Sequence, residues 1–165
     1  EKDYGAEAIE LLLQVMENQR DDLILIFAGG KSKIDGFFNS NPGISSRIGN
    51  HIDFPNYEID DLTNITKFLL NNDNRYKFTD ETLKILVHYI DQLKDFKSFA
   101  NARTVKVFVN QLLAYQAIRV EKTLMDKGSI DYESLVTIQP EDFSYFTGDD
   151  FINIVGSENI ELYKG

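Results

Sequence analysis

The stretch of sequence that decides the fold runs from Asp22 to Pro55 and reads DLILIFAGGKSKIDGFFNSNPGISSRIGNHIDFP. It opens with an uninterrupted apolar run, Leu23 to Ala28, which breaks at a pair of glycines. A run without polar alternation predicts a strand that is covered on both faces, as in a parallel sheet. Residues 52–54 alternate between apolar and acidic before Pro55, which predicts a second strand.

Helical patterns flank the first predicted strand on both sides. The spacing upstream predicts a helix from Ala6 to Gln19, whose buried face carries Ile9, Leu12, Leu13 and Met16. Downstream, residues 33–39 predict two helical turns with Ile34, Phe37 and Phe38 directed inward. A helix followed by a doubly buried strand is half of an α/β unit.

A turn and one arginine lie between the two predicted strands. Asn41-Pro42-Gly43 is a strong turn signal. Ser45 or Ser46 is expected to cap a short helix that carries Arg47. The arginine is therefore predicted to stand exposed at a turn.

From Glu58 onward the pattern becomes helical. The first predicted helix carries its apolar residues at Ile59, Leu62, Ile65, Phe68 and Leu69. Thr79 is predicted to cap a second helix, which carries Leu83, Leu86, Val87 and Ile90. The third runs from about Asn101 to Asp126, ends at Gly128, and buries Val105, Phe108, Leu112 and Ile118. Three helices with short links predict a small bundle.

The tail after Gly128 is less regular. Residues 131–138 and 140–146 are typical of short helical turns, whereas residues 151–163 predict a strand or an irregular segment. We divide the chain into an α/β part at 1–57, a helical part at 58–128 and a C-terminal extension at 129–165.

Composition excludes several classes of function. The net charge of −10 and the lack of a basic stripe argue against nucleic-acid binding. The apolar run at 23–28 is too short to cross a bilayer, so no membrane contact is expected. Cysteine is absent, and neither His51 nor His88 has a second ligand at metal-binding spacing. No metal site and no serine-histidine-aspartate set is predicted.

An ordered series of motifs resembles CbbX-type AAA+ proteins, the red-type Rubisco activases, between about Tyr4 and Val120. The matching strings are Tyr4-Gly5-Ala6-Glu7-Ala8-Ile9, residues 12–18, 20–23 and 27–29, residues 37–43, Ser46-Arg47-Ile48, residues 51–55, and Phe99-Ala100-Asn101-Ala102-Arg103. The resemblance implies an α/β fold: the C-terminal part of an αβα nucleotide-binding domain, followed by an all-α helical lid.

The resemblance also implies roles for two arginines. Arg47 corresponds to the arginine finger, which reaches the γ-phosphate of ATP bound by the adjacent subunit of a hexamer. Arg103 corresponds to the sensor-2 arginine of the lid, which contacts the nucleotide of its own subunit. The cofactors implied are ATP and Mg²⁺. The implied partners are other AAA+ subunits, the Rubisco large subunit as client and ribulose bisphosphate as effector.

Three positions depart from the family pattern. Gly30 replaces a usual tyrosine, Ser45 replaces a frequent second arginine, and Lys106 stands where a second lid arginine is common. We expect these changes to soften the phosphate and intersubunit contacts while the two principal arginines remain.

The sequence contains no G-x-x-x-x-G-K-[ST] loop, and no apolar strand ending in Asp-Glu comes before the run at 23–28. We therefore expect this chain to be inactive as an ATPase by itself, and its start at Glu1 is treated as compatible with a longer protein. Two alternatives stay open: a related AAA+ chaperone with another client, and a non-catalytic module that acts only between subunits. The abundance of Asn, Ile, Lys and Tyr favours a plastid stroma over a bacterial cytoplasm.

Overall fold

The chain divides between Pro55 and Asn56 into two units in the computed structural model, which describes residues 4–71 and 75–156. Helices make up the regular structure of these residues, apart from one isolated parallel bridge between Lys77 and Thr137. Each unit has its own internal packing.

The first unit contains α1 (Gly5–Asn18), α2 (Lys31–Ser40) and α3 (Pro42–Ser45). The apolar residues predicted to face inward on α1 and α2 are partly buried, whereas most of their neighbours are exposed. Phe38 lies at the centre of an aromatic cluster, with ring centroids 5.5 Å from His51, 5.7 Å from Phe37 and 6.2 Å from Phe27. Ile44 of α3 is fully buried. Both predicted helices are confirmed.

The two predicted strands are absent from the described residues, so this prediction is wrong for the chain by itself. Residues 23–28 have no regular structure, and Ile24 and Ile26 are 88% and 85% exposed instead of covered. Ile52 and Phe54 are also exposed. A strand exists only through hydrogen bonds to a neighbouring strand, and the described residues supply none here. The odd-numbered residues from 23 to 27 are partly buried and the even-numbered ones exposed, a period of two that matches extended chain.

Arg47 does not lie on a helix, which corrects a second prediction. The short helix α3 begins at Pro42 and ends at Ser45, and Ser46 is its C-terminal cap residue. Proline suits the first helical position because its missing N–H would be unsatisfied there in any case. Arg47 therefore lies in the turn that follows α3.

The regular structure of the second unit is helical over its described residues, apart from the bridge between Lys77 and Thr137. Its elements are α4 (Ile59–Leu70), α5 (Asp80–Lys94), α6 (Ala102–Lys127), α7 (Tyr132–Val136), α8 (Pro140–Phe143) and α9 (Gly148–Val155). Thr79 caps α5 as predicted, since its hydroxyl accepts from the backbone N–H of Thr82 at 3.1 Å. Gly128 ends α6 as predicted, with a φ of 73° that glycine adopts without steric cost.

The three long helices share one core with α8, α9 and Ile138, which lies between α7 and α8. Leu62, Leu86, Leu93 and Phe108 are fully buried, and Ile138, Phe143, Ile154 and Val155 belong to the same cluster. The predicted helical turns at 131–138 and 140–146 are confirmed. Residues 148–155 form α9, so the strand or irregular segment predicted for residues 151–163 is wrong over residues 151–155. Residues 157–163 lie outside the described ones.

The buried face of α6 differs from the prediction in its second half. Val105, Phe108 and Leu112 are buried as expected, but Ile118 is 45% exposed. The buried positions there are Gln116 and Arg119. The side-chain amide of Gln116 donates to the carbonyl of Leu135 at 2.7 Å, so the long helix uses polar groups to hold the chain around α7.

Asp150 joins the start of α9 to α6. Its carboxylate accepts from the Tyr115 hydroxyl at 2.6 Å, from the Thr147 hydroxyl at 2.7 Å and from the Thr147 N–H at 2.8 Å. Partial burial raises the pKa of Asp150, but these hydrogen bonds outweigh it and leave the pKa below the ordinary aspartate value. Burial and the neighbouring carboxylate raise the pKa of Tyr115.

We expect Asp150→Asn to lower stability by about 1 kcal/mol at neutral pH and to flatten its acid dependence. A carboxylate with a depressed pKa stabilises the folded state above its unfolded pKa, and this contribution disappears as the pH falls through the folded pKa. Thermal unfolding between neutral pH and about pH 3 checks this, because wild type and variant should converge at the acid end. Asp149→Asn, on the same helical turn, is the control, and an equally flat profile for it would contradict the assignment.

Candidate functional site

Arg47 has a defined conformation in the turn after α3. Its Nη1 donates to the carbonyl of Gly43 at 2.9 Å, which satisfies a backbone group of the short helix. Its Nε and Nη2 both donate to one carboxylate oxygen of Glu17, at 3.2 and 3.1 Å. The end of α1 therefore orients the guanidinium.

The ion pair between Arg47 and Glu17 is easily broken. The two side chains are 40% and 67% exposed, and ion pairs in such surroundings contribute about 0–1 kcal/mol. A phosphate matches the planar guanidinium fork as a carboxylate does, so an arriving anion can compete with Glu17 for this exposed pair. The observed ion pair orients the guanidinium of Arg47 and leaves it partly exposed.

Arg47 borders an open cleft of about 750 Å³ within the first unit. The residues that line it are Met16, Glu17, Arg20, Leu23, Leu25 and residues 46–50. Arg20 adds a second cation, whereas Glu17 is the one acid among these lining residues. The cleft therefore offers two guanidinium groups to an anionic group.

Arg103 occupies the second position of α6, and its side chain is exposed. Its backbone N–H donates to the carbonyl of Ala100 at 3.1 Å. Within the described part of the chain its guanidinium makes no hydrogen bond or ion pair, so it is available to a ligand. Arg47 belongs to the first unit and Arg103 to the second.

Sequence reasoning missed a buried ion pair in the second unit. Arg119 is 8% exposed and Asp142 is fully buried, with Nε 2.6 Å from Oδ1. The signal was available, because Leu112, Gln116 and Arg119 recur at the spacing of one helical face. The polarity of the last two residues concealed it.

Both histidine rings pack against aromatic neighbours. The ring of His51 packs edge-on against Phe38, and that of His88 lies against Tyr89 with centroids 6.2 Å apart. Residues 4–71 and 75–156 contain no group of three or more His, Cys, Asp or Glu side chains suited to a metal ion. Among the same residues, none of the helices is long and apolar enough for a bilayer span.

The helical unit matches a known family. The model of the AAA lid domain family covers residues 58–150, from the start of α4 into α9. This range includes most of the buried core, except Ile154 and Val155, and the exposed Arg103.

Curated relatives match most of the chain. A CfxQ protein homolog of Guillardia theta is 49% identical over 144 residues, which are 86% of this chain and 47% of the relative. A chloroplastic ribulose bisphosphate carboxylase/oxygenase activase of Cyanidioschyzon merolae is 48% identical, covering 86% of this chain and 47% of the relative. The chromosomal CbxX protein of Cupriavidus necator is 44% identical, covering 86% and 44%.

The chain thus spans about half the length of the curated relatives it matches. The identities extend well beyond the lid, since a match over 86% of the chain must include residues of the first unit. The chain belongs to the AAA lid domain family, and over the residues matched it is similar to proteins named CfxQ, CbxX and ribulose bisphosphate carboxylase/oxygenase activase, as its resemblance to CbbX-type AAA+ proteins predicts.

Proposed function

We propose that the complete protein is an AAA+ ATPase that remodels red-type Rubisco and releases inhibitory sugar phosphates from it. The observation that carries this proposal is the 48% identity to a protein named ribulose bisphosphate carboxylase/oxygenase activase. A second protein of that name, from the same organism, is 42% identical over 146 residues. The alternative is a related AAA+ chaperone with another client.

Arg47 is the arginine finger in this proposal. Its guanidinium is permanently charged, exposed and held by a carboxylate that a phosphate can replace. In a ring of subunits it would stabilise the negative charge that develops on the phosphoryl group transferred from ATP in the adjacent subunit. Such a contribution depends on position and charge, and the exposed, hydrogen-bonded guanidinium in the turn after α3 supports the proposal.

Arg103 is the sensor-2 residue and serves its own subunit. Its exposed guanidinium would contact the phosphates of ATP, since its side chain has no partner in the described part of the chain. The described residues fit the phosphate side of the nucleotide, because both arginines are exposed cations. They include no cluster of carboxylates for Mg²⁺, which other parts of the protein would have to bind.

The first unit is part of an αβα nucleotide-binding domain in this proposal. The alternating exposure of residues 23–27 supports this, since it matches a strand with one face packed and one face open. Ile24 and Ile26 would become covered when further strands and helices of the complete protein join the sheet. The location proposed is a plastid stroma or a bacterial cytoplasm, because the relatives include a chloroplastic and a chromosomally encoded bacterial protein.

The test uses the complete protein with a red-type Rubisco that ribulose bisphosphate has inhibited. We expect ribulose bisphosphate to stimulate ATP hydrolysis severalfold, and carboxylation to recover only when hydrolysable ATP is present. The controls are a non-hydrolysable ATP analogue and a green-type Rubisco, neither of which should give recovery. If the rate of ATP hydrolysis did not change with ribulose bisphosphate and carboxylation did not recover, the client assignment would be wrong. Such a result would favour an AAA+ chaperone with another client.

A further inference from the structure

Asn101 has an unusual backbone conformation at the start of α6. Its φ of 52° and ψ of −127° make it the single non-glycine residue with positive φ among the described residues. Asparagine tolerates positive φ better than most residues, yet this combination remains sparsely populated. A residue held in such a conformation needs support from its surroundings.

The conformation belongs to a tight turn that leads into the helix. The N–H of Arg103 donates to the carbonyl of Ala100 at 3.1 Å, which closes a four-residue turn around Asn101 and Ala102. The dihedral angles of Asn101 lie close to about +60° and −120°, the values for the first central position of a type II′ turn. Glycine is the usual residue there, so backbone geometry alone does not account for the asparagine.

The hydrogen bonds of the Asn101 side chain explain why asparagine stands at this position. Its Oδ1 accepts from the backbone N–H of Tyr57 at 3.0 Å, and its Nδ2 donates to Oδ1 of Asn56 at 2.9 Å. Glycine could adopt the turn but could make neither bond. Asn56 and Tyr57 begin the second unit, at the point where the chain passes from the first unit into it.

A further hydrogen bond stabilises the same turn. The N–H of Ala100 donates to the hydroxyl of Thr104 at 2.9 Å, and Thr104 is buried. The turn is therefore held on one side by α6 itself and on the other by residues 56 and 57. Arg103 lies between these two attachments, which fix the course of the backbone that carries it.

We propose that Asn101 is a positioning residue for Arg103, and that it joins the start of α6 to the segment through which the chain enters the lid. This inference rests on the proposed role of Arg103 as the nucleotide sensor. The tie makes the direction of Arg103 and the course of residues 56 and 57 depend on each other. A nucleotide contact made by Arg103 would thereby affect residues 56 and 57, where the chain enters the second unit.

The experiment compares Asn101→Gly, Asn56→Ala and Arg103→Ala in the complete protein. Asn101→Gly keeps the turn, since glycine adopts positive φ freely, but it removes both side-chain bonds. We expect the amide of Tyr57 to exchange its hydrogen about tenfold faster in this variant, and the KM for ATP to rise about tenfold with a smaller change in kcat. The thermal midpoint should stay near the wild-type value, because a strained residue has been replaced by one suited to the turn.

Asn56→Ala is the matched control, since it removes one of the two bonds from the opposite side and leaves the turn untouched. It should give intermediate values for Tyr57 exchange and for KM. Unchanged Tyr57 exchange in Asn101→Gly would overturn the tie. A wild-type KM in Asn101→Gly beside a raised KM in Arg103→Ala would overturn the positioning role while leaving the proposed function intact.

The result for Arg103→Ala separates the two proposals. If that variant keeps the wild-type nucleotide affinity and turnover, the sensor assignment fails, and with it the positioning role of Asn101. The exchange of the Tyr57 amide still reports whether Asn101 holds the entrance to the lid.

Discussion

Replacing Arg47 by alanine in the complete ring is expected to lower kcat for ATP hydrolysis by about 10³- to 10⁵-fold. The guanidinium would otherwise offset charge that develops on the transferred phosphoryl group, and alanine offers no cation in its place. The KM for ATP should change far less, because in the proposed role Arg47 serves a nucleotide bound by another subunit. Steady-state ATPase kinetics of purified rings measure both values.

Two variants sharpen this result. Arg47→Lys keeps the charge but not the planar fork, so we expect partial activity above that of the alanine variant. Arg20→Ala removes a cation from the same cleft and should leave kcat within a few-fold of wild type. Unchanged turnover in Arg47→Ala rings would eliminate the finger assignment.

Mixed rings test whether Arg47 acts on a neighbour. Subunits carrying Arg47→Ala are combined with subunits whose own nucleotide site has been inactivated. In such rings some intact sites receive an intact finger from the adjacent subunit, so activity should exceed that of either parent ring. A mixture that stays as inactive as both parents would contradict action between subunits.

Breaking the buried pair of Arg119 and Asp142 is the second large effect expected, a loss of about 3–5 kcal/mol in the free energy of unfolding of the lid. Arg119→Met leaves a fully buried carboxylate without its cation, and removes donors from the carbonyls of Ser134 and Thr137, which now lie at 3.1 and 3.0 Å. The protein interior solvates an unpaired charge poorly, so the folded state becomes less favourable. Native-state hydrogen exchange of α6 amides measures the change.

Lys122→Met is the matched control, because it removes an exposed cation from the same helix. It should change stability by less than about 0.5 kcal/mol. The double variant Arg119→Met/Asp142→Leu should lose less than the two single changes together, since no unpaired charge remains. If Arg119→Met cost no more than Lys122→Met, the pair would have no structural role.

The tie made by Arg119 also explains why the residues after Gly128 join the lid core. The guanidinium reaches the carbonyls that end α7, and the carboxylate of Asp142 accepts from the N–H of Gln139 at 2.9 Å. Ile138 is fully buried directly between these contacts. The hydrogen bonds of Arg119 and Asp142 therefore add the residues after Gly128 to the predicted bundle of three helices. The spacing of apolar residues does not predict these polar contacts.

Much of the helical architecture could be read from the sequence because its determinants are local. The inward residues of α1 and α2, the threonine cap of α5 and the glycine that ends α6 all follow from spacing and capping within a few residues. Ile118 is the instructive failure on α6. Its apolar character favoured burial, but Gln116 and Arg119 take the buried positions because each finds polar partners around α7.

The candidate site divides in the same way. The two arginines were singled out from their motifs, and both prove to be exposed. Their roles stay predictions. What the motifs could not supply is the surrounding geometry, namely the carboxylate of Glu17 beside Arg47 and the strained turn at Asn101 before Arg103.

The sequence by itself determined which segments form the helices other than α9, which faces of most of them are buried, and to which AAA+ proteins the chain is similar. Only the tertiary structure decided that residues 23–28 lack strand partners among the described residues. It also decided that Arg47 lies in the turn after α3 and not within a helix, and that Arg119 is buried. The physical reason is distance along the chain: the partners of Arg47, Asn101 and Arg119 lie 30, 44 and 23 residues away. Helical periodicity and capping act within a turn or two, whereas strand pairing and buried ion pairs depend on which distant segments meet.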